Sequence, residues 1–277
     1  MGAYWLLYIN ALEGGLIKAI ARLKGAGHGK KEFFMKNKQF FLCGFLSVMS
    51  VLVFGACSAT ANAQEQRLTG GDSFGFTVIS GGTAYRVRAG TAAEGTVSIP
   101  AYYRPNADSE YLPVTEIGWF SQRGNIIRIT IPSTVTVISN GAFSKCTNLN
   151  SINIPEGVTS IGNRAFEDCT SLTTITIPST VKSIGEYAFN GCINLTGGIT
   201  VPEGVTSIRE CTFFKCTSLT SITIPASVTS LGRGAFEGWQ DTQTINIQGK
   251  ANQAATDRAW GGSSWRENSS ARINYGQ

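Results

Sequence analysis

Apolar and polar positions through the middle of the chain follow one template of about 23 residues, repeated in register. One copy, Ile154 to Thr176, reads IPEGVTSIGNRAFEDCTSLTTIT. Its apolar positions are Val158, Ile161, Ala165, Phe166, Cys169, Leu172 and Ile175, and Ile177 opens the next copy. The marker prolines Pro132, Pro155, Pro178, Pro202 and Pro225 are 23, 23, 24 and 23 residues apart, so the chain carries a repeat array. Leu172-x-x-Ile175-x-Ile177 has the period-two ending of a short strand whose isoleucines point one way. The same reading gives Ile126/Ile129/Ile131, Leu149/Ile152/Ile154 and Leu219/Ile222/Ile224. A proline follows just past each strand, where a missing backbone donor least disturbs a ladder. Gly162 to Phe166 is too short for an ordinary helix and predicts a turn, or a single helical turn, on the opposite wall.

One coil leaves both of its apolar faces open and cannot fold alone, because ordering its backbone outweighs what its own side chains bury. Stacking closes those faces, with strands about 4.8 Å apart in one parallel sheet on one wall. The period falls in the leucine-rich-repeat range, so the expected fold class is a leucine-rich-repeat solenoid with one short parallel strand per coil and turns opposite. Leu195-Thr-Gly-Gly-Ile199 holds one residue too many, which predicts a β-bulge at Gly197 or Gly198 and a local kink.

The array is expected over 97–247. Val97-Ser-Ile99-Pro100 and Val114 to Phe120 make a degenerate first coil, split by an inserted loop Ala101–Pro113. Phe74–Ile79 and Ala84–Arg88 alternate around Ser80-Gly81-Gly82-Thr83, the signature of a β-hairpin, within an N-terminal cap at 64–96. Residues 248–277, with Trp260, Trp265 and a strand-like Ala271–Tyr275, are expected to close the other end.

Lys36 and Lys38 followed by the apolar run Phe40–Phe54 read as a signal peptide over 35–63, too short an apolar stretch to span a membrane. Two processing sites stay open. Phe54-Gly55-Ala56-Cys57 looks like a bacterial lipobox, with cleavage before Cys57 and lipid on its sulfur; Ala61-x-Ala63 suits ordinary cleavage after Ala63. The apolar run stops at the cysteine, which favours the lipid anchor. Residues 1–34 fit no signal peptide, and the start is expected at Met35, with 1–34 a mis-called upstream extension.

Composition then removes function classes. Residues 1–63 hold seven of the 23 basic and two of the 18 acidic residues, which leaves sixteen of each sign and no basic patch for nucleic acid. The single histidine, His28, precedes Met35, so Ser-His-Asp and Cys-His nucleophile systems and imidazole metal sites are not expected. No enzyme activity, metal or cofactor is expected. Cys146, Cys169, Cys192 and Cys216 recur at one site of each coil and predict a ladder of small buried thiols, with coil-to-coil disulfides the alternative after export. Cys211 falls at a wall position, either reactive or a buried irregularity.

The unit IP-x-x-V-x-x-IG-x-x-AF-x-x-C-x-x-L-x-x-I-x-I, carried by Ile154-Pro155 through Ile177, resembles the BspA-like leucine-rich repeats of bacterial surface proteins. The last copy departs from it, with Trp239 for the cysteine and Thr242 for the leucine. The resemblance implies a parallel-sheet solenoid, surface exposure and adhesion to host matrix proteins or other bacteria. It brings no catalytic residues, because the motif consists of core positions.

The outward strand positions form the candidate ligand face: Arg128 and Thr130, Ser151 and Asn153, Thr174 and Thr176, Thr200, Ser221 and Thr223, Thr244 and Asn246. This is a neutral, hydroxyl-rich surface for a protein or glycan, although threonine is also chosen for strand propensity. Aromatic anchors are expected only in the Ala101–Pro113 loop, at Tyr102, Tyr103 and Tyr111. The expected function is an exported repeat protein, held at the cell surface or outer membrane or secreted, that mediates adhesion. A structural envelope scaffold is the alternative, and a carboxylate enzyme acting on polysaccharide is a third class.

Overall fold

In a computed structural model, residues 74–91, 93–260 and 262–276 are described, all within the unit Leu68–Gln277. Cys57, the expected signal peptide and upstream extension, and the first ten residues of the expected cap lie outside them. The hairpin is formed by β1 (Phe74–Ile79) and β2 (Ala84–Ala89), antiparallel with Ile79 opposite Ala84. Its turn needs left-handed backbone at Ser80, Gly81 and Gly82, and two of the three are glycine.

The expected wall is present but divided. β3 (Gly95–Ser98), β6 (Ile126–Thr130) and β8 (Ser151–Asn153) form one parallel sheet. β11 (Gly197–Thr200), β13 (Leu219–Ile224), β15 (Thr244–Ile247) and β16 (Arg272–Tyr275) form another. Between them the coil of Leu172–Ile177 pairs with β8 through a single bridge, from Thr174 to Ser151. The register of β11 on β13 slips between Gly197 and Gly198, where the bulge was predicted. The break in the ladder falls just before it, on the side of the 23-residue coil facing the 24-residue one. Ile152 lies in register with Ile129, and Ile222 with Ile199 and Ile245; Ile175, at the break, is only partly buried.

The sequence reading expected a single sheet, and a second parallel ladder corrects it. β5 (Leu112–Ile117), β7 (Val137–Ile138), β9 (Ser160–Ile161) and β10 (Ser183–Ile184) continue from the hairpin. β12 (Ser207–Ile208) pairs with β14 (Ser230–Leu231) further along. These strands are two residues long in each full coil, too short for alternation to reveal them. The inserted loop is likewise ordered: β4 (Tyr102–Tyr103) pairs antiparallel with β5.

Each proline carbonyl accepts the N–H of the valine three residues on, as Pro155 does from Val158, so the coil turns at its marker residue. The opposite wall is made of turns with two left-handed residues per coil, such as Arg164 and Asp168, or Gly234 and Gly238. Between the walls runs a file of phenylalanines, Phe120, Phe143, Phe166, Phe189, Phe213 and Phe236, all fully buried, with successive ring centroids 5.3–6.0 Å apart. Trp239 and Trp265 end the file edge-on against Phe236. Trp265 and helix α1 (Gln253–Trp260) belong to a last coil, whose strand β16 continues the ladder.

Candidate functional site

Strand register brings the predicted face residues into two rows. Arg128 lies beside Ser151, which bridges to Thr174; beyond the break Gly198, Ser221 and Thr244 continue the row. Thr130 lies beside Asn153, and Thr200, Thr223 and Asn246 form the second row past the break. Thr176 is exposed between the two halves. The structure extends both rows with residues outside the repeat template: Thr96 and Ser98 before Arg128 and Thr130, and Arg272 and Asn274 after Thr244 and Asn246. Continuing the strand pattern past Ile247 would have found the last two, since Ala271–Tyr275 read as a strand. Where the ladder parts, a shallow open depression of about 370 Å³ lies among Arg128, Thr130, Ser151, Asn153, Thr174 and Thr176, floored by Ile129, Ile152 and Ile175.

The tyrosines separate. Tyr102 and Tyr111 are exposed, with the Arg104 guanidinium 4.4 Å from the Tyr111 ring centre. Tyr103 is a correction: its ring stacks on Phe76 at 3.7 Å and meets Tyr85 edge-on at 5.1 Å, so it anchors the hairpin and is not free for a ligand. The β4–β5 pairing turns it inward, which the loop sequence alone does not reveal.

The cysteine ladder consists of free, buried thiols. Each donates to the carbonyl of the phenylalanine one coil earlier: Cys146 to Phe120, Cys169 to Phe143, Cys192 to Phe166 and Cys216 to Phe189, all at 3.0–3.1 Å. Trp239, in the cysteine's place, makes the same bond to Phe213 through its indole N–H at 2.9 Å. The motif position therefore selects a donor that fits between coils. Burial pushes the Cys146 thiol up to about 11 and holds Cys169, Cys192 and Cys216 higher than an ordinary thiol too, which makes them inert as nucleophiles. Cys211 is half-buried and its thiol is also raised, chiefly by burial, the reverse of activation. Its neighbour Tyr187 donates to Glu210 at 2.9 Å, and that bond lifts the phenol to about 12. Among the described residues, no three His, Cys, Asp or Glu side chains converge as metal ligands, and no helix is long and apolar enough to cross a membrane.

Coils whose template residues are interior, and whose free positions form ordered outward rows, define a leucine-rich-repeat solenoid. The profile of the BspA type leucine rich repeat region, in six copies, matches residues 115–243 and 197–259, more than half of the chain, and the chain belongs to that family. The leucine rich repeat protein of T. pallidum is similar over 61% of this chain and 87% of its own, at 23% identity and TM-score 0.49. Pneumococcal vaccine antigen PcpA is similar over 64% of this chain, at 20% identity and TM-score 0.50; the match spans 48% of the antigen, about half its length. A leucine-rich repeat protein from Bacteroides ovatus is similar over 74% of this chain and 66% of its own, at 23% identity and TM-score 0.42. At 20% identity and TM-score 0.50 the likeness to PcpA is one of fold alone. Curated proteins gave no match.

Proposed function

We propose that the protein is exported, held at the bacterial cell surface by lipid on Cys57, and binds protein or glycan on host matrix or neighbouring bacteria through its outward strand rows. The observation that carries this reading is the pair of in-register rows, hydroxyl and amide groups with Arg128 and Arg272 toward the two ends, interrupted by the open depression at Thr174 and Thr176. Such a surface offers many donors and acceptors at fixed spacing, and its two arginines, at opposite ends, do not form the basic cluster that would favour nucleic acid. Membership of the BspA-type family supports display outside the cell. The activity is binding and not catalysis, because the template is spent on core positions and the ladder thiols are inert.

The test is capture of immobilised matrix proteins and whole bacterial cells by the purified protein, with Asn153→Arg and Thr174→Arg placed in the depression. Binding that these variants weaken at least about tenfold supports the rows as the contact surface. Binding unchanged by either variant, or no binding at all, overturns it. The alternative of an envelope scaffold draws on β16, whose outer edge pairs with no strand among the described residues. Concentration-dependent self-association with no captured partner would favour that reading.

A further inference from the structure

On the second wall, away from the hydroxyl rows, an open trough of about 480 Å³ crosses the outward faces of β2, β5, β7 and β9. Its lining is low because the outward residues there are small, with Gly118, Ser139, Ser160 and Gly162 among them. Two features stand up from it. The first is Trp119, 70% exposed, while Trp239, Trp260 and Trp265 are all buried. Its backbone is held from both sides: its carbonyl accepts from Ala89 N–H at 3.0 Å, and the flanking Gly118 and Phe120 N–H groups donate to Val87 and Ala142 at 2.6 Å. The indole is therefore presented by fixed backbone and not by a loose loop.

The second feature is a pair of arginines two residues apart on the outward face of β2. Arg86 forks onto Glu116 at 2.8 and 2.9 Å, and Glu116 also accepts from Ser139 at 2.5 Å. That carboxylate is fully engaged. Arg88, which lines the same trough, has no ion pair or side-chain hydrogen bond among the described residues. Its side chain lies across Gly75, where a Cβ would come within 2.8 Å of Arg88 Nε and 2.9 Å of Cζ, so the glycine makes room for the guanidinium.

We propose that this trough is a second binding site and that it takes a saccharide bearing a carboxylate. A shallow surface of mixed polarity lacks the enclosed pocket that a large apolar side chain needs. It fits a pyranose ring whose C–H face lies on the indole and whose hydroxyls reach Ser139 and Asn140. The guanidinium of Arg88, without a partner among the described residues, supplies a planar two-donor partner for a carboxylate on that ring.

Trp119 gives the site its own reporter, since the other described tryptophans are buried. The purified protein is titrated with a hyaluronan hexasaccharide and with 3′-sialyllactose, with lactose as the uncharged control, while tryptophan emission and acrylamide quenching are followed. The expected result is a blue shift and protection from quenching with at least one acidic sugar, and a response at least about tenfold weaker with lactose. Arg88→Gln, an exposed change that does not threaten folding, is expected to remove the preference for the acidic sugar. Trp119→Ala is expected to abolish binding measured by calorimetry, while Thr174→Arg on the other wall leaves it unchanged. No response to either acidic sugar, equal response to lactose, or binding that survives both Arg88→Gln and Trp119→Ala overturns the proposal. Binding of an acidic peptide in place of the sugars overturns the saccharide assignment. Because the site shares no residue with the strand rows, its failure leaves the adhesion reading untouched, and the reverse holds.

Discussion

At the scale of single residues, the cysteine ladder links sequence to stability. Each thiol fills a small interior site and donates across the coil boundary, as Cys169 does to Phe143. Their raised titration fixes the sign of a pH effect. An unfolded thiol loses its proton near pH 9, while the folded Cys146 keeps it to about 11 and the other three are also raised by burial. The native state then binds more protons than the unfolded one, so stability is complete below the unfolded value and falls as pH rises above it. In that window each thiol removes on the order of 1.4 kcal/mol per pH unit. Urea midpoints measured between pH 8 and 10.5 are expected to drop steeply, and more gently in a Cys146→Ser, Cys169→Ser variant. Equal slopes for the two proteins would show that the ladder does not govern the alkaline limit.

At the scale of the coil, the glycine of the Ile-Gly pair is fixed by how closely successive turns approach. A Cβ on Gly162 would lie 2.5 Å from the Asn140 backbone nitrogen, one on Gly185 would lie 2.3 Å from that of Asn163, and one on Gly232 2.3 Å from that of Glu210. Asn140 and Asn163 use the same proximity, their side-chain oxygens accepting the N–H of Asn163 and Glu186 in the next coil. Ser139 occupies this place where the preceding coil runs Ile117-Gly118-Trp119-Phe120, two residues shorter than the template. Nothing in the structure explains Arg209 at the same place in its coil. Gly185→Ala is expected to cost about 1–3 kcal/mol by forcing neighbouring backbones apart, read as a shift in the thermal midpoint. A stability equal to wild type would mean that the coils separate freely there.

At the scale of the molecule, each coil contacts only its neighbours, so stability is a chain of interfaces that must be closed at both ends. The hairpin covers one end, with Phe74 against Phe120 at 6.4 Å. The last coil covers the other with Trp265 and β16. Removing residues 249–277 would bare Phe236, Trp239 and the edge of β15, and the shortened protein is expected to aggregate on size-exclusion chromatography where the full chain does not. A soluble, cooperatively folding truncation would show that the array needs no such cover.

The period, the strand ends at Ile152 and Ile222, the hairpin and the bulge at Gly197–Gly198 were all legible in the sequence, because each is written in local spacing or turn chemistry. So were the outward rows, since side chains alternate along a strand whatever lies beside it. The parting of the sheet at Thr174, the inward turn of Tyr103 and the bare indole of Trp119 were not legible. Each depends on which segment comes to lie alongside, and that is set when the coils stack. The sequence by itself determined the repeating coil and its interior; tertiary structure alone decided which surfaces remained open, because exposure belongs to the gaps between neighbours and not to any one stretch of chain.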